Sequence, residues 1–126
     1  MGGMNGKVIW SELMTRDYEA AKAYFADVLG WTYKDMEGMG GRYTIAHLGE
    51  EPVAGIGDSV AMNLPDEIPS HWMTYIAVDD IDSAVERTEA AGGTVKNKPF
   101  DVPGVGKIAI VADPSGAVFG FTQPID

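Results

Sequence analysis

Apolar and polar residues alternate with two different periods in the first quarter of the chain. Between Trp10 and Thr15 every second residue falls on the same face, which is the period of a β-strand. From Tyr18 to Leu29 apolar residues recur at helical spacing, with Asp17 placed to cap the first free amides and Gly30 at the expected end. The pattern predicts a strand followed by a capped helix.

The same pattern returns in the second half of the chain. Residues 72–78 alternate again, Asp80 takes the capping position, and a helical stripe ends at Gly93. The separation between the capping aspartate and the final glycine is 13 residues in both halves, so the halves superpose with an offset of 63 residues, half of the chain. The alternative is a coincidence between two ordinary segments.

Short strands are predicted after each helix. The offset pairs Gly57 with Gly120 in the last strand of each half, while the segments PFDVPGVG (99–106) and DPSG (113–116) are typical of turns. We therefore predict an α+β fold in a single domain, 1–126, with βαβββ modules at about 7–58 and 71–124 joined by a connection at 59–70. The six strands that follow the helices are expected at 32–36, 43–48, 53–57, 94–98, 107–112 and 117–122.

Composition narrows the class of partner and compartment. Nineteen acidic and nine basic residues give a net charge of -10, which argues against nucleic acid and anionic membranes as partners. Without cysteine there is neither a disulfide framework nor a thiolate nucleophile or metal ligand. The N-terminal MGGMNGK has no apolar run of the signal-peptide type, and no stretch approaches the ~20 apolar residues of a membrane span. We expect a cytoplasmic protein.

Three segments carry a resemblance to a known family: WSELMTRDYEAAKAYFADVLGW at 10–31, YIAVDDIDSAVERTEAAGG at 75–93 and IVADPSGAVFGF at 110–121. They resemble the vicinal oxygen chelate superfamily, which includes glyoxalase I, extradiol dioxygenases and bleomycin-resistance proteins. The resemblance implies paired βαβββ modules that form a U-shaped mixed sheet with helices on the outside. It also implies a cavity for a small molecule and a homodimer.

Metal-dependent members of that superfamily carry one His, Glu or Gln ligand in the first and last strand of each module. Carried over to this chain, the positions fall on Trp10, on Met73, on Gly120 and within 53–57, none of which is a suitable donor. We therefore predict no metal, no cofactor and no glyoxalase I activity. A displaced site that uses His71 or Glu12, two residues along the strand, would need a shift of about 6.5 Å and is the less favoured alternative.

The face shared by Trp10, Glu12 and Met14 is the predicted ligand-binding wall, joined by Met73 and Tyr75 from the second module. Aromatic and thioether side chains suit an apolar or planar ligand. The alternative is that these residues pack as core or as a dimer interface. Ala77 shares the face, whereas Tyr43, Trp72, Phe119 and Phe121 are predicted mainly as core.

Two titratable residues are candidates for chemistry. A carboxylate at Glu12, on an otherwise apolar face, should have its ionised form disfavoured by desolvation, which would suit acid–base work or binding of a cationic group. The alternative is a structural pair with an amide, Arg42 or Lys107. His47, on the third strand, is the second catalytic candidate, as a proton carrier, unless it is merely hydrogen-bonded at the strand end.

Three hypotheses for function follow. The favoured one is a metal-free protein that sequesters a small apolar or aromatic molecule, similar to the bleomycin-resistance branch. The second is a metal-independent lyase or isomerase that uses Glu12 as acid or base. The third is an interaction protein whose cavity is filled by side chains.

Overall fold

The computed structural model describes residues 4–125, so residues 1–3 of the segment MGGMNGK and residue 126 lie outside the described part. The chain runs strand, helix and three strands, twice over, which confirms the predicted α+β fold of two βαβββ modules. It forms two compact units, residues 10–73 and residues 4–9 with 74–125. The elements are β1 Val8–Thr15, α1 Tyr18–Leu29, β2 Thr32–Asp35, β3 Tyr43–Leu48, β4 Glu51–Asp58, β5 His71–Ala77, α2 Ile81–Ala90, β6 Thr94–Val102, β7 Gly106–Ala112 and β8 Val118–Pro124.

The unit of residues 10–73 contains a mixed sheet in the order β2-β3-β4-β1. Strand β1 runs parallel to β4, and the other pairs are antiparallel. Asp17 accepts a hydrogen bond from the Ala20 amide at 3.1 Å, and Gly30 ends α1 with a φ of 76°, as the sequence predicts. The apolar side of α1 contacts the sheet through a core of Leu13, Tyr18 and Ile56. One sheet face is therefore covered by the helix.

The unit of residues 4–9 and 74–125 repeats this plan with the order β5-β8-β7-β6. Strand β5 is parallel to β8, and the remaining pairs are antiparallel. Asp80 caps α2 by accepting a hydrogen bond from the Ser83 amide at 3.1 Å. Its core joins Val78, Ile81 and Ala109, with Phe121 packed against them. Phe121 therefore belongs to the core, as the sequence predicts.

One predicted turn belongs in part to a strand. Strand β6 continues through Pro99 and Phe100 to Val102, so only the end of the segment 99–106 forms the turn. Proline lacks the amide that a central strand must donate, but β6 is the last strand in the order of this unit. The pairing with β7 also shifts register between Asn97 and Phe100, which brackets Pro99. The irregularity accommodates the proline within the strand.

The repeat offset is wrong by two residues in the last strands. Glu12 pairs with Gly55 in one unit, and Tyr75, its counterpart at an offset of 63, pairs with Gly120 in the other. The structural equivalent of Gly120 is therefore Gly55 rather than Gly57. Chain lengths between helix and last strand differ in the two modules, so one offset does not hold along the whole repeat.

Of the predicted core residues, Trp72 is exposed, whereas Tyr43 is buried as predicted. Trp72 is 47% exposed and contacts the Phe25 ring edge at a centroid distance of 5.8 Å. Tyr43 is buried, but it lies beside Trp10 on the sheet face away from Leu13 and the helix-side core. Strand periodicity gives two faces and does not say which neighbours fill each one.

Within residues 4–125, none of the helices is long and apolar enough to cross a membrane.

Candidate functional site

The candidate site in the unit of residues 10–73 is the sheet face opposite α1. Leu13 points to the helix-side core, so its neighbours along β1, Glu12 and Met14, belong to the other face. Glu12 pairs with Gly55 and Met14 with Gly57 of β4. Because these two glycines have no side chains, the space above them is available to residues of the adjacent strands.

Tyr43 and Met14 fill the space above the two glycines. A Cβ atom added to Gly55 would overlap the Tyr43 hydroxyl and lie 3.1 Å from Trp10 Nε1. A Cβ atom on Gly57 would lie 2.7 Å from the sulfur of Met14 and 3.3 Å from the Tyr43 ring. Tyr43 and Met14 are each only 8% exposed. Aromatic and thioether surfaces therefore form much of this face, as the sequence predicts for Trp10 and Met14.

A short hydrogen-bond chain crosses this surface. Trp10 Nε1 donates to the Tyr43 hydroxyl oxygen at 3.3 Å, and the Tyr43 hydroxyl is hydrogen-bonded to the Glu12 side chain. Burial raises the pKa of Tyr43 far above its usual value, and the negative charge of Glu12 and the hydrogen bond to it raise it further, while the Trp10 hydrogen bond acts in the opposite direction. The phenol is therefore protonated at neutral pH and is the donor to the carboxylate.

Glu12 is the acceptor of the Tyr43 hydrogen bond. Glu12 is half-buried at the centre of β1. Arg42, which the sequence offers as a partner for Glu12, donates its Nε to the Met39 carbonyl at 2.8 Å. The arrangement can accept a proton or a hydrogen bond from a ligand.

Strand β5 carries the other predicted wall residues, Met73 and Tyr75. They are 5% and 7% exposed, and Ala77 is 1% exposed. In the unit that contains residues 74–125, a Cβ atom on Gly120 would overlap the Tyr75 ring. Tyr75 thus covers a glycine of β8 in the way that Tyr43 covers Gly55. Each unit pairs a tyrosine with a glycine in its last strand.

The two histidines contact nearby backbone atoms. His47 Nδ1 lies 3.2 Å from the Ile45 carbonyl oxygen, just after a register shift in β3. Two strand spacings, about 9.6 Å, separate β3 from the Glu12 strand, so His47 is not an immediate neighbour of Glu12. His71 Nδ1 lies 2.8 Å from the Pro69 carbonyl oxygen. A catalytic role for His47 stays a prediction.

The residues at the family's ligand positions do not fit a metal ion. Trp10 and Met73 offer no oxygen or imidazole donor, and the space above Gly120 is taken by the Tyr75 ring. Residues 53–57 contain only Val, Ala, Gly and Ile. Within residues 4–125, the structure brings no three His, Asp or Glu side chains together as a possible metal site.

Tyr43 and Gly55 are site residues that the sequence interpretation missed. Glycine in the interior of a strand often marks a close approach by another group, so the alternating Gly55 and Gly57 were the available signal. Sequence alone does not show that the approaching group is Tyr43. The contact between Tyr43 and Gly55 depends on the register between β3 and β4, which brings Tyr43 opposite Gly57 and Ile45 opposite Gly55.

A separate open groove lies where the β6–β7 turn meets the end of β8. Its volume is about 360 Å³, and its lining includes Asp101, Lys107, Gln123 and Ile125. None of the predicted site residues lines it. The groove combines one acidic and one basic residue with apolar atoms and has no arrangement of side chains that indicates a particular chemistry.

Comparison with known proteins adds a family and several relatives. The model of the Glyoxalase/Bleomycin resistance protein/Dioxygenase superfamily matches residues 7–121. The Mycobacterium bovis protein named "Putative glyoxylase CFP32" is 38% identical over 120 residues, which cover 94% of this chain and 44% of that protein. The anthracycline biosynthesis protein DnrV of Streptomyces peucetius is 34% identical over 121 residues, covering 96% and 42%. The chain thus spans less than half the length of these relatives.

Solved structures share the fold. A hypothetical protein from Bacillus halodurans C-125 superposes with a TM-score of 0.67 at 14% identity, covering 96% of both chains. The Mn(II)-bound glyoxalase from Novosphingobium aromaticivorans gives a TM-score of 0.64 at 21% identity, covering 95% of this chain and 39% of that one. At these identities the likeness establishes the fold alone.

Proposed function

Because the chain belongs to the Glyoxalase/Bleomycin resistance protein/Dioxygenase superfamily, we propose that it is a metal-free member that binds a small aromatic molecule. The observation that carries the proposal is the face made by Trp10, Met14 and Tyr43 above Gly55 and Gly57. Flat rings and a flexible thioether make favourable contacts with a planar ligand. Sequestration of such a ligand needs no chemical step.

The names of two relatives suggest a suitable class of probe. DnrV and DauV are named as anthracycline biosynthesis proteins. Anthracyclines contain a flat fused-ring system, which is the shape that the aromatic face favours. We propose polycyclic aromatic compounds as the first ligands to test.

Titration of a fluorescent anthracycline with the purified protein tests the binding proposal. We expect saturable quenching with one ligand bound per chain. A Tyr43→Leu variant should weaken binding because it removes the ring above Gly55. The same quenching with an unrelated acidic protein, or a failure to saturate, would contradict the proposal.

A second function is favoured by the contact between Tyr43 and Glu12. A protonated phenol beside a carboxylate provides a proton donor and an acceptor on one surface. We propose as the alternative a metal-independent lyase or isomerase that uses Glu12 as acid or base. Glu12→Gln should abolish turnover of an activated carbonyl substrate and change the melting temperature little. Glu50→Gln, on an exposed turn, is the matched control and should retain turnover.

Metal content and assembly are tested directly on the purified protein. Elemental analysis after purification without chelator should find less than stoichiometric Zn, Mn, Fe and Ni. A stoichiometric metal would replace this proposal with the displaced-site alternative.

We also propose a cytoplasmic homodimer that has no nucleic-acid or membrane partner. A monomer by light scattering at micromolar concentration would exclude the dimer.

A further inference from the structure

We infer that the exposed apolar side of helix α1 is the surface through which two copies of this chain form a symmetric dimer. The inference rests on the homodimer of the proposed function and deepens it by naming the contact surface. It follows from the apolar side chains that α1 and the start of β5 leave exposed in the unit of residues 10–73.

A continuous apolar surface runs along the exposed side of α1, and we call four of its residues the α1 patch. Each is between 47% and 57% exposed: Tyr24, Val28, Leu29 and Trp72. Val28 lies four residues after Tyr24, so the two adjoin on the helix surface. Leu29 adjoins Phe25 for the same reason. The Phe25 ring joins the helix to Trp72, because its centroid lies 4.9 Å from the Tyr24 ring and 5.8 Å from the Trp72 ring.

The second helix shows that this fold does not require an apolar exposed side. The exposed residues of α2 include Asp82, Glu86, Arg87 and Glu89. Charged side chains of this kind are normal where a helix faces water. The exposed residues of α1, apart from Glu19 and Asp27, are alanines or members of the α1 patch. A contiguous apolar surface on one helix and a charged one on the other indicate that the first is a site of protein contact.

The area of the α1 patch suits a dimer of moderate affinity. Its side chains expose about 400 Å² together, since an aromatic side chain has about 150–250 Å² and about half of each residue is exposed. Two copies packed patch to patch would bury twice this area, and the adjoining Ala20, Ala23 and Phe25 would add to it. The total approaches the ~1,000 Å² at which specific interfaces begin. We therefore expect a dissociation constant in the micromolar range.

Little unpaired charge lies beside the α1 patch, which favours a second copy over a basic protein. Glu19 and Lys22 of α1 form an ion pair at 3.6 Å, and Asp27 is the remaining charged residue of the helix. A basic protein drawn by the net charge of -10 would meet few carboxylates here, whereas the same patch on another copy is apolar and complements it. Tyr24 lies near the middle of α1, so antiparallel packing about a two-fold axis brings it against Tyr24 of the partner subunit.

Sedimentation velocity across a micromolar concentration range measures the dissociation constant of the dimer for wild type, Val28→Lys, Tyr24→Lys and Val118→Lys. Val118 is an exposed valine of β8 outside the α1 patch, so it is the matched control for Val28. Val28→Lys and Tyr24→Lys should each raise the dissociation constant by about 10-fold or more, as buried interface residues do when they are disrupted. Val118→Lys should retain the wild-type value.

A mixing experiment tests whether the patch meets itself. Tyr24→Lys and Tyr24→Glu should each be monomeric alone, because like charges then face each other across the two-fold axis. An equimolar mixture of the two should dimerise again, because opposite charges meet there. A merely structural role of Tyr24 would not be rescued by mixing, so a mixture that stays monomeric would contradict patch-to-patch packing.

Salt provides a test on wild type alone. Two copies that each carry a net charge of -10 repel each other, so added salt should tighten an apolar dimer by screening that repulsion. A dimer that weakens with added salt would be held by ion pairs, which would overturn the inference.

Failure of this interface differs from failure of the homodimer. A wild type that stays monomeric across the concentration range overturns both. A dimer that Val28→Lys and Tyr24→Lys leave intact, or that Val118→Lys dissociates instead, overturns the interface on α1 and leaves the homodimer standing. Neither result decides the aromatic-binding proposal, which the anthracycline titration tests.

Discussion

Gly55→Ala is the substitution that tests the architecture of the site most directly. Gly55 has an ordinary strand conformation, so the alanine backbone is not strained, and only the new methyl group matters. That methyl would overlap the Tyr43 hydroxyl and lie 2.5 Å from the Tyr43 Cζ atom. The ring must therefore move away from Gly55, which breaks at least one of its hydrogen bonds to Trp10 and Glu12.

The expected cost has two parts. Overpacking of a close-packed site typically costs 1–3 kcal/mol, and loss of a hydrogen bond adds about 1 kcal/mol. The free energy of unfolding should fall by about 2–4 kcal/mol. With an unfolding entropy of about 2.1 cal/mol/K per residue, a chain of 126 residues would melt about 8–15 °C lower.

Urea unfolding of a double-mutant cycle measures whether Tyr43 is the cause. Tyr43→Leu removes the atoms that the new methyl meets, so the second substitution should cost much less in that background than in wild type. Gly57→Ala is the matched control because its methyl meets the flexible end of Met14, which can shift at lower cost. Additive effects of Gly55→Ala and Tyr43→Leu would refute the proposed contact, as would a Gly55→Ala protein as stable as wild type.

Three further predictions concern the stability of the units. Burial first, and then the charge of nearby carboxylates, raise the pKa of Tyr18 to about 12, above its usual value of 10.0. Because the pKa of Tyr18 is higher in the folded state, its contribution to the free energy of unfolding is complete below pH 10 and is lost as pH rises towards 12. In urea unfolding across that range, the free energy of unfolding should fall less steeply with pH in Tyr18→Phe than in wild type. Asp17→Ala and Asp80→Ala should each lower the free energy of unfolding by about 1 kcal/mol in the same assay, because each removes a helix cap. Asn at either position should retain most of the stability of wild type. Ser59→Ala should leave stability unchanged or raise it by up to about 1 kcal/mol, because the buried Ser59 hydroxyl has no hydrogen-bond partner among residues 4–125; a loss above 1 kcal/mol would reveal a partner such as an ordered water.

The sequence predicted the ends of the first helix well because a few consecutive residues determine them. The Asp17 cap and the left-handed Gly30 depend on a few consecutive residues, and both are found where the sequence places them. The sequence analysis placed Pro99 in a turn, but a proline interrupts a strand only where a neighbouring strand needs the amide hydrogen that proline lacks. Whether β6 has such a neighbour is a property of the sheet order.

The candidate site was predicted in part. The alternation of β1 correctly grouped Trp10, Glu12 and Met14 on the face opposite Leu13. Tyr43 is buried, as the sequence predicts, but its place on the face of Trp10 and Glu12 was not predicted, because an aromatic residue in a strand has no sequence feature that distinguishes the two faces of a buried sheet. Its contacts with Trp10 and Glu12 join residues more than thirty positions apart.

The sequence by itself determined the two modules, their capped helices and the absence of metal-binding side chains from the family's ligand positions. These features depend on residue type, on short-range periodicity and on the spacing within one strand or helix. Only the tertiary structure decided that Gly55, rather than Gly57, matches Gly120, and that the Tyr43 ring covers Gly55. The physical reason is that pairing register and side-chain overlap arise between strands distant in the chain, where a shift of one or two residues changes every contact.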